Sequence, residues 1–134
     1  MSASMNARLV ERALRVVRAA LVLGLAAYLG WGHASYWTIA LIGLAMASFQ
    51  VQANFDQWIA MIRGAGLRAA GPGLIVAFVS QVVYAALFYA IGFTIGVAHG
   101  DPPVAPYPTL HDLALIGVVE ALGLSIGAAV RRRA

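Results

Sequence analysis

Two residue types are missing from this chain altogether. There is no cysteine, which excludes disulfides, thiolate metal sites and cysteine nucleophiles. There is no lysine either, so all nine basic residues are arginines. With so much alanine and glycine, that usage fits a GC-rich bacterial genome. Acids are scarce at five, and charged residues make up only 10% of the sequence, against about 25% in soluble domains. What fills the space is apolar: 62% of the 134 residues are hydrophobic, and the mean hydropathy is +0.84. That balance predicts a membrane protein, and the length allows a single domain, residues 1–134.

Four windows approach the roughly 20 apolar residues a spanning helix needs. They are 14–31, 36–55, 73–98 and 112–130, which predicts an all-α polytopic protein with four transmembrane helices and short loops. The arginines follow one pattern. Arg8, Arg12, Arg15 and Arg18 precede or open the first window; Arg63 and Arg68 lie between the second and third; Arg131, Arg132 and Arg133 follow the fourth. The loops after the first and third windows, "GHAS" and "HGDPPVAPYPTLHD", contain none. Because positive residues mark the cytoplasmic side, the sequence predicts a multi-pass protein of the bacterial inner membrane with both termini cytoplasmic. The formal charge of +4 then reads as topology, with the lipid bilayer as partner and no nucleic acid. The basic lead, apolar stretch and small residues at Gly32 and Ala34 also resemble a cleavable signal peptide. The lead is long, however, and Trp31 and His33 crowd the cut, so the segment reads as a retained span.

The connections differ in character. The first outer turn is short enough to imply a tight antiparallel hairpin of the first two spans. Around 51–63, Val51, Phe55, Trp58, Ile59 and Ile62 recur at helical spacing opposite Gln52, Asp56, Gln57 and Arg63, as in a short amphipathic helix lying in the membrane interface. The same stripe also suits a cytoplasmic partner's groove, or a second span that simply runs on past the bilayer. "GAGLRAAGPG" breaks the chain before the third span, and Pro102, Pro103, Pro106 and Pro108 stiffen the outer loop.

One carboxylate, Glu120, sits inside the fourth window. On a helix its face also carries Gly117, Gly123, Leu124 and Gly127, and small residues let helix backbones approach closely in membranes. The third window has a comparable face: Gln81, Tyr84, Ala85, Phe88, Gly92 and Gly96 fall along one stripe. Counted from the cytoplasmic ends at 1.5 Å per residue, Tyr84 and Glu120 lie at nearly equal depth, about 16 and about 15 Å. That match predicts a polar pair of Glu120 with Tyr84, Gln81 or both. Two roles fit such a pair. A neutral carboxyl can join two helices by hydrogen bonding, or a proton-binding carboxylate can serve a transport path.

A second group gathers at the outer rim. His33, His99 and His111 map there with Asp101 and Asp112, residue types that together can ligate zinc, copper or nickel. None shows a diagnostic spacing, so no metal and no cofactor is expected. No phosphate-cradling glycine loop and no nucleophile–base motif is present, and the chain is expected not to be an enzyme.

Two resemblances bear on function. "YWTIALIGLAMASFQ" with the later "RAAGPG" resembles the first spans of the fusaric-acid-resistance type of exporter, with Tyr36, Trp37, Arg68 and Gly71 at the matching places. That family has more spans and a large cytoplasmic portion. Four spans with inner termini are also similar in plan to the small assembly protein of bacterial ATP synthase. The Glu-x-x-Lys of that family's third span is replaced here by the region of Gln81 and Tyr84. Neither resemblance carries a residue's role over. The expected function is therefore that of a small accessory or assembly subunit, packing against a larger membrane complex or its own copies. A small oligomeric proton-coupled exporter using Glu120 is the alternative.

Overall fold

The computed structural model describes residues 2–100 and 103–133, and every regular element among them is helical. Helix α1 covers Ser2–Trp31, α2 Trp37–Ala53, α3 Phe55–Ala65, α4 Ala70–Val97 and α5 Leu110–Arg133, with one 3-10 turn at Leu67–Ala69 before α4. Three of them, α1, α4 and α5, are long and apolar enough to cross a membrane. A fourth crossing exists if α2 and α3, bent by 80° at Asn54, count as one broken span. The chain is thus an all-α polytopic protein.

The boundaries follow local chemistry. Helix α1 begins far earlier than its apolar run: at 1.5 Å per residue its 30 residues reach about 45 Å, more than the ~30 Å of bilayer hydrocarbon. Helix α3 starts four residues later than the amphipathic pattern at Val51, because α2 runs straight on to Ala53. It stops at Gly66, whose φ of +84° is open to glycine and strained for other residues. Pro72 is tolerated in the first turn of α4, where its missing N–H has no helical partner to lose. At the other end, Thr109 and Asp112 form a capping box for α5. The Thr109 N–H donates to Asp112 Oδ2 at 3.2 Å, and the Asp112 N–H donates to Thr109 Oγ1 at 3.1 Å.

In the bundle, α4 packs along both α1 and α2, and α5 packs along the same two helices. Nowhere among the described residues do the Cα atoms of α4 and α5 come within 8 Å of each other. The bundle is therefore four-cornered, with α4 and α5 at opposite corners and α1 and α2 between them. The short first turn does join α1 to α2, but each makes its larger contact with α4 rather than with the other. Val22, Ala26 and Leu29 of α1, Ile42 and Phe49 of α2, Ala85 of α4 and Ile116 of α5 form the core.

Glycine sets the closest approach. A Cβ on Gly92 would collide with the carbonyl of Ala27, one on Gly30 with that of Tyr89, and one on Gly96 with that of Trp31. Helices α1 and α4 thus touch backbone to backbone. Gly43 of α2 lies against Val82 of α4 in the same manner, 3.0 Å from its Cα to an added Cβ.

Candidate functional site

Glu120 lies on the side of α5 that faces α2, not α4. Its Oε1 is 2.7 Å from the Ser48 hydroxyl, while its Oε2 is buried without a hydrogen-bond partner. The expected pair with Tyr84 or Gln81 does not form. Tyr84 is 53% exposed on the outer face of α4. Gln81 is buried and lines a cleft with Val22, Met46 and Phe49, between α4 and the α1–α2 side. The two helices stand at opposite corners of the bundle.

The hydrogens around Ser48 can be counted. Its hydroxyl is 2.6 Å from the carbonyl of Ala45 and 2.7 Å from Glu120, and a hydroxyl has one hydrogen to give. That one hydrogen is shared between the Ala45 carbonyl of its own helix and Glu120 Oε1 of α5, so the hydroxyl joins α2 to α5.

The same face continues toward the inner rim. The Gln52 side chain donates to the carbonyl of Leu124 at 2.9 Å. Ser48–Glu120 and Gln52–Leu124 share a sequence offset of 72, as two parallel helices in register require. Gly123 lies under the Phe49 ring, and Gly127 makes room for Gln52 and the Arg18 guanidinium. Arg18 donates to Gln52 Oε1 at 3.2 Å and sits 4.9 Å from the centre of the Phe49 ring.

The glycines singled out for packing therefore divide. Gly92 and Gly96 pack against α1, Gly123 and Gly127 against α2 and Arg18, and Gly117 is exposed with open space where a Cβ would stand. Gly117 belongs to a different stripe: Gly117, Ala121, Ser125 and Ala129, four residues apart, are all exposed. The Ser125 hydroxyl turns back to the carbonyl of Ala121 at 2.8 Å, so the stripe presents no unmet polar group.

At the outer rim the acids and histidines have separate employments. Asp112 caps α5, and Asp101 lies outside the described residues. His99 is exposed with Nδ1 3.0 Å from its own helix carbonyl at Ile95. His33 is buried at a φ of +55°, its ring tilted 47° to that of Phe93 with centroids 4.3 Å apart, with Nδ1 3.2 Å from the Trp31 carbonyl and Nε2 unpartnered. His33, His111 and Asp112 line one shallow cleft, yet no group of three metal-ligating side chains comes together among the described residues. The rim is instead closed by hydrogen bonds. The Ala105 N–H donates to the His33 carbonyl at 3.2 Å, the Ser35 hydroxyl to that of Pro106 at 3.3 Å, and the Tyr89 hydroxyl to that of Ala34.

The chain matches no protein family, no characterised protein and no solved structure. Neither the exporter nor the assembly-protein resemblance is supported by these comparisons.

Ser48, Gly30 and Gly43 entered no sequence-based expectation. The signal for Ser48 was present, since it lies four residues before Gln52 on one face of an apolar helix. Thr109-x-x-Asp112 was equally readable as a cap.

Proposed function

We propose that the chain is a small non-enzymatic membrane subunit that packs sideways through α5, against a larger membrane complex or a second copy of itself. The observation that carries this reading is the exposed stripe of Gly117, Ala121, Ser125 and Ala129. Small residues at four-residue steps are what two membrane helices need to approach closely, and nothing among the described residues covers these. The arginine distribution further supports a bacterial inner membrane with cytoplasmic termini.

The absence of cysteine makes the test direct. With a single cysteine at Ala121, cross-linking in native membranes should trap a partner or a dimer. A cysteine at Val83, on the bulky outer face of α4, should trap neither. Equal trapping at both positions removes the proposal. Orientation is checked by reporter fusions after residues 66 and 104. The first should report cytoplasm and the second the outside.

The unpartnered Oε2 of Glu120 favours a second reading, a proton-coupled exporter. Against it, the inner cleft beside α5 is lined on that helix by Ile126, Gly127, Val130 and Arg131, nearly two turns short of Glu120. Replacement of Glu120 by Gln separates the readings: it preserves a hydrogen-bonded joint, but it ends any proton cycling.

A further inference from the structure

The chain leaves α2 at Asn54 and turns by 80° into α3. Where an apolar helix bends into an amphipathic one, the hydrocarbon of the bilayer gives way to its headgroups. A cleft of about 160 Å³ opens at that bend, between α1, α2 and α5. Three guanidinium groups line it, from Arg15, Arg18 and Arg131, but only two carboxylates, Glu11 and Asp56. Both acids are engaged: Glu11 holds Arg15 at 2.6 Å and Asp56 holds Arg131 at 3.0 Å.

Arg18 is the exception. It stands one turn deeper than Arg15, half-buried, and its contacts are a neutral amide and an aromatic ring. One of its five N–H donors is used by Gln52, and no acid offsets its charge. Gly127 is what admits it, since an added Cβ there would strike both Gln52 and the Arg18 guanidinium. Above this cationic floor the walls include Phe55, Ile126 and Val130. A guanidinium at the base, apolar walls and a position in the headgroup layer suit one ligand class: an amphiphile bearing a phosphate.

We propose that this cleft binds the phosphate of an anionic lipid, with Arg18 as its principal contact and Arg15 at its mouth. Arginine takes phosphate through paired N–H donors, and basic pockets between membrane helices suit anionic headgroups. A phosphodiester carries one negative charge, matching the one arginine of the cleft lining that no carboxylate pairs with. A zwitterionic lipid carries the same phosphate but cancels its charge, so it binds more weakly. The site does not depend on the partner proposed for α5.

Thermal unfolding of the purified full chain in detergent tests this, with added phosphatidylglycerol, phosphatidylcholine or inorganic phosphate. Phosphatidylglycerol should raise the unfolding temperature, and the other two should do so little. Arg18→Gln should raise the phosphatidylglycerol concentration for half-maximal effect about tenfold, the equivalent of one charge-assisted contact. Arg68→Gln, outside the cleft, should respond like wild type. Equal shifts with phosphatidylcholine, or an unchanged response in a folded Arg18→Gln, overturn the proposal. A full shift with inorganic phosphate overturns the lipid assignment in favour of a soluble anion. If Arg18→Gln does not fold, the exposed Arg15→Gln decides: about threefold weakening supports the site and none refutes it.

Discussion

Helices α4 and α5 are both apolar enough to cross a membrane, and both are rich in small residues, yet they use them in opposite directions. Helix α4 turns Gly92 and Gly96 inward, where α1 rides on its backbone. To the outside it shows Ile75, Val76, Val79, Val83, Leu87, Ile91 and Ile95, all more than half exposed. Such a face is suited to acyl chains. Helix α5 turns Gly123 and Gly127 inward but keeps a second small stripe, Gly117 to Ala129, on the outside. Hydropathy does not distinguish the two helices, and both expose bulky apolar residues, Leu113, Val118 and Leu122 among those of α5. The row of small outward residues at four-residue steps is longer on α5, with Gly117, Ala121, Ser125 and Ala129, than on α4, with Ala90, Thr94 and, at its end, Ala98.

The sharpest way to break this contrast is to add one methyl group on each helix. Gly92→Ala should cost about 3 kcal/mol or more, because the new Cβ meets the Ala27 backbone, which cannot move aside as a side chain does. Thermal unfolding in detergent measures it, and a change below about 1 kcal/mol would mean that α1 and α4 are not in backbone contact. Next in size are substitutions at Glu120. Glu120→Leu should destabilise by about 0.6–2 kcal/mol and Glu120→Gln by much less, since an amide can still bond Ser48. Equal stability of both variants would remove the joint between α2 and α5.

Gly117→Leu carries the contrast to its other side. Open space surrounds that position, so the isolated chain should lose no more than about 0.5 kcal/mol, while association through α5 is lost on co-purification. A large loss of stability would place Gly117 in the core. Smallest is the effect of labelling α3. The Trp58 ring lies against Gly73 at the start of α4, so its fluorescence should be blue-shifted and quenched by shallow lipid-attached quenchers. Quenching by aqueous iodide at the rate of a free indole would lift α3 off the membrane.

The sequence was informative wherever one helix can be read by itself. Long apolar runs marked α1, α4 and α5, and the stripe of Trp58, Ile59 and Ile62 marked α3. It was poor wherever two helices had to be matched. A helix apolar on every side carries little periodic signal for its neighbour, so the pairing of Glu120 with Tyr84 rests on small-residue faces and on depth. Depth constrains one coordinate and leaves the corner of the bundle open. The glycine stripes were visible, but which of them faced protein depended on that same arrangement. Gly92 and Gly117 look alike in the sequence and lie in opposite environments. Arg18 was seen only as a marker of topology, because its place beside Gln52 depends on Gly127, more than a hundred residues away.

The placement of α5 against α1 and α2 alone bears on how the chain is assembled as it emerges from the ribosome. The first two helices make only a slight contact with each other, and α4 fills the space between them. Every residue of α5's seat, including Ser48, Phe49 and Gln52, precedes α5 in the chain, so the whole docking surface for α5 has been synthesised before α5 itself emerges.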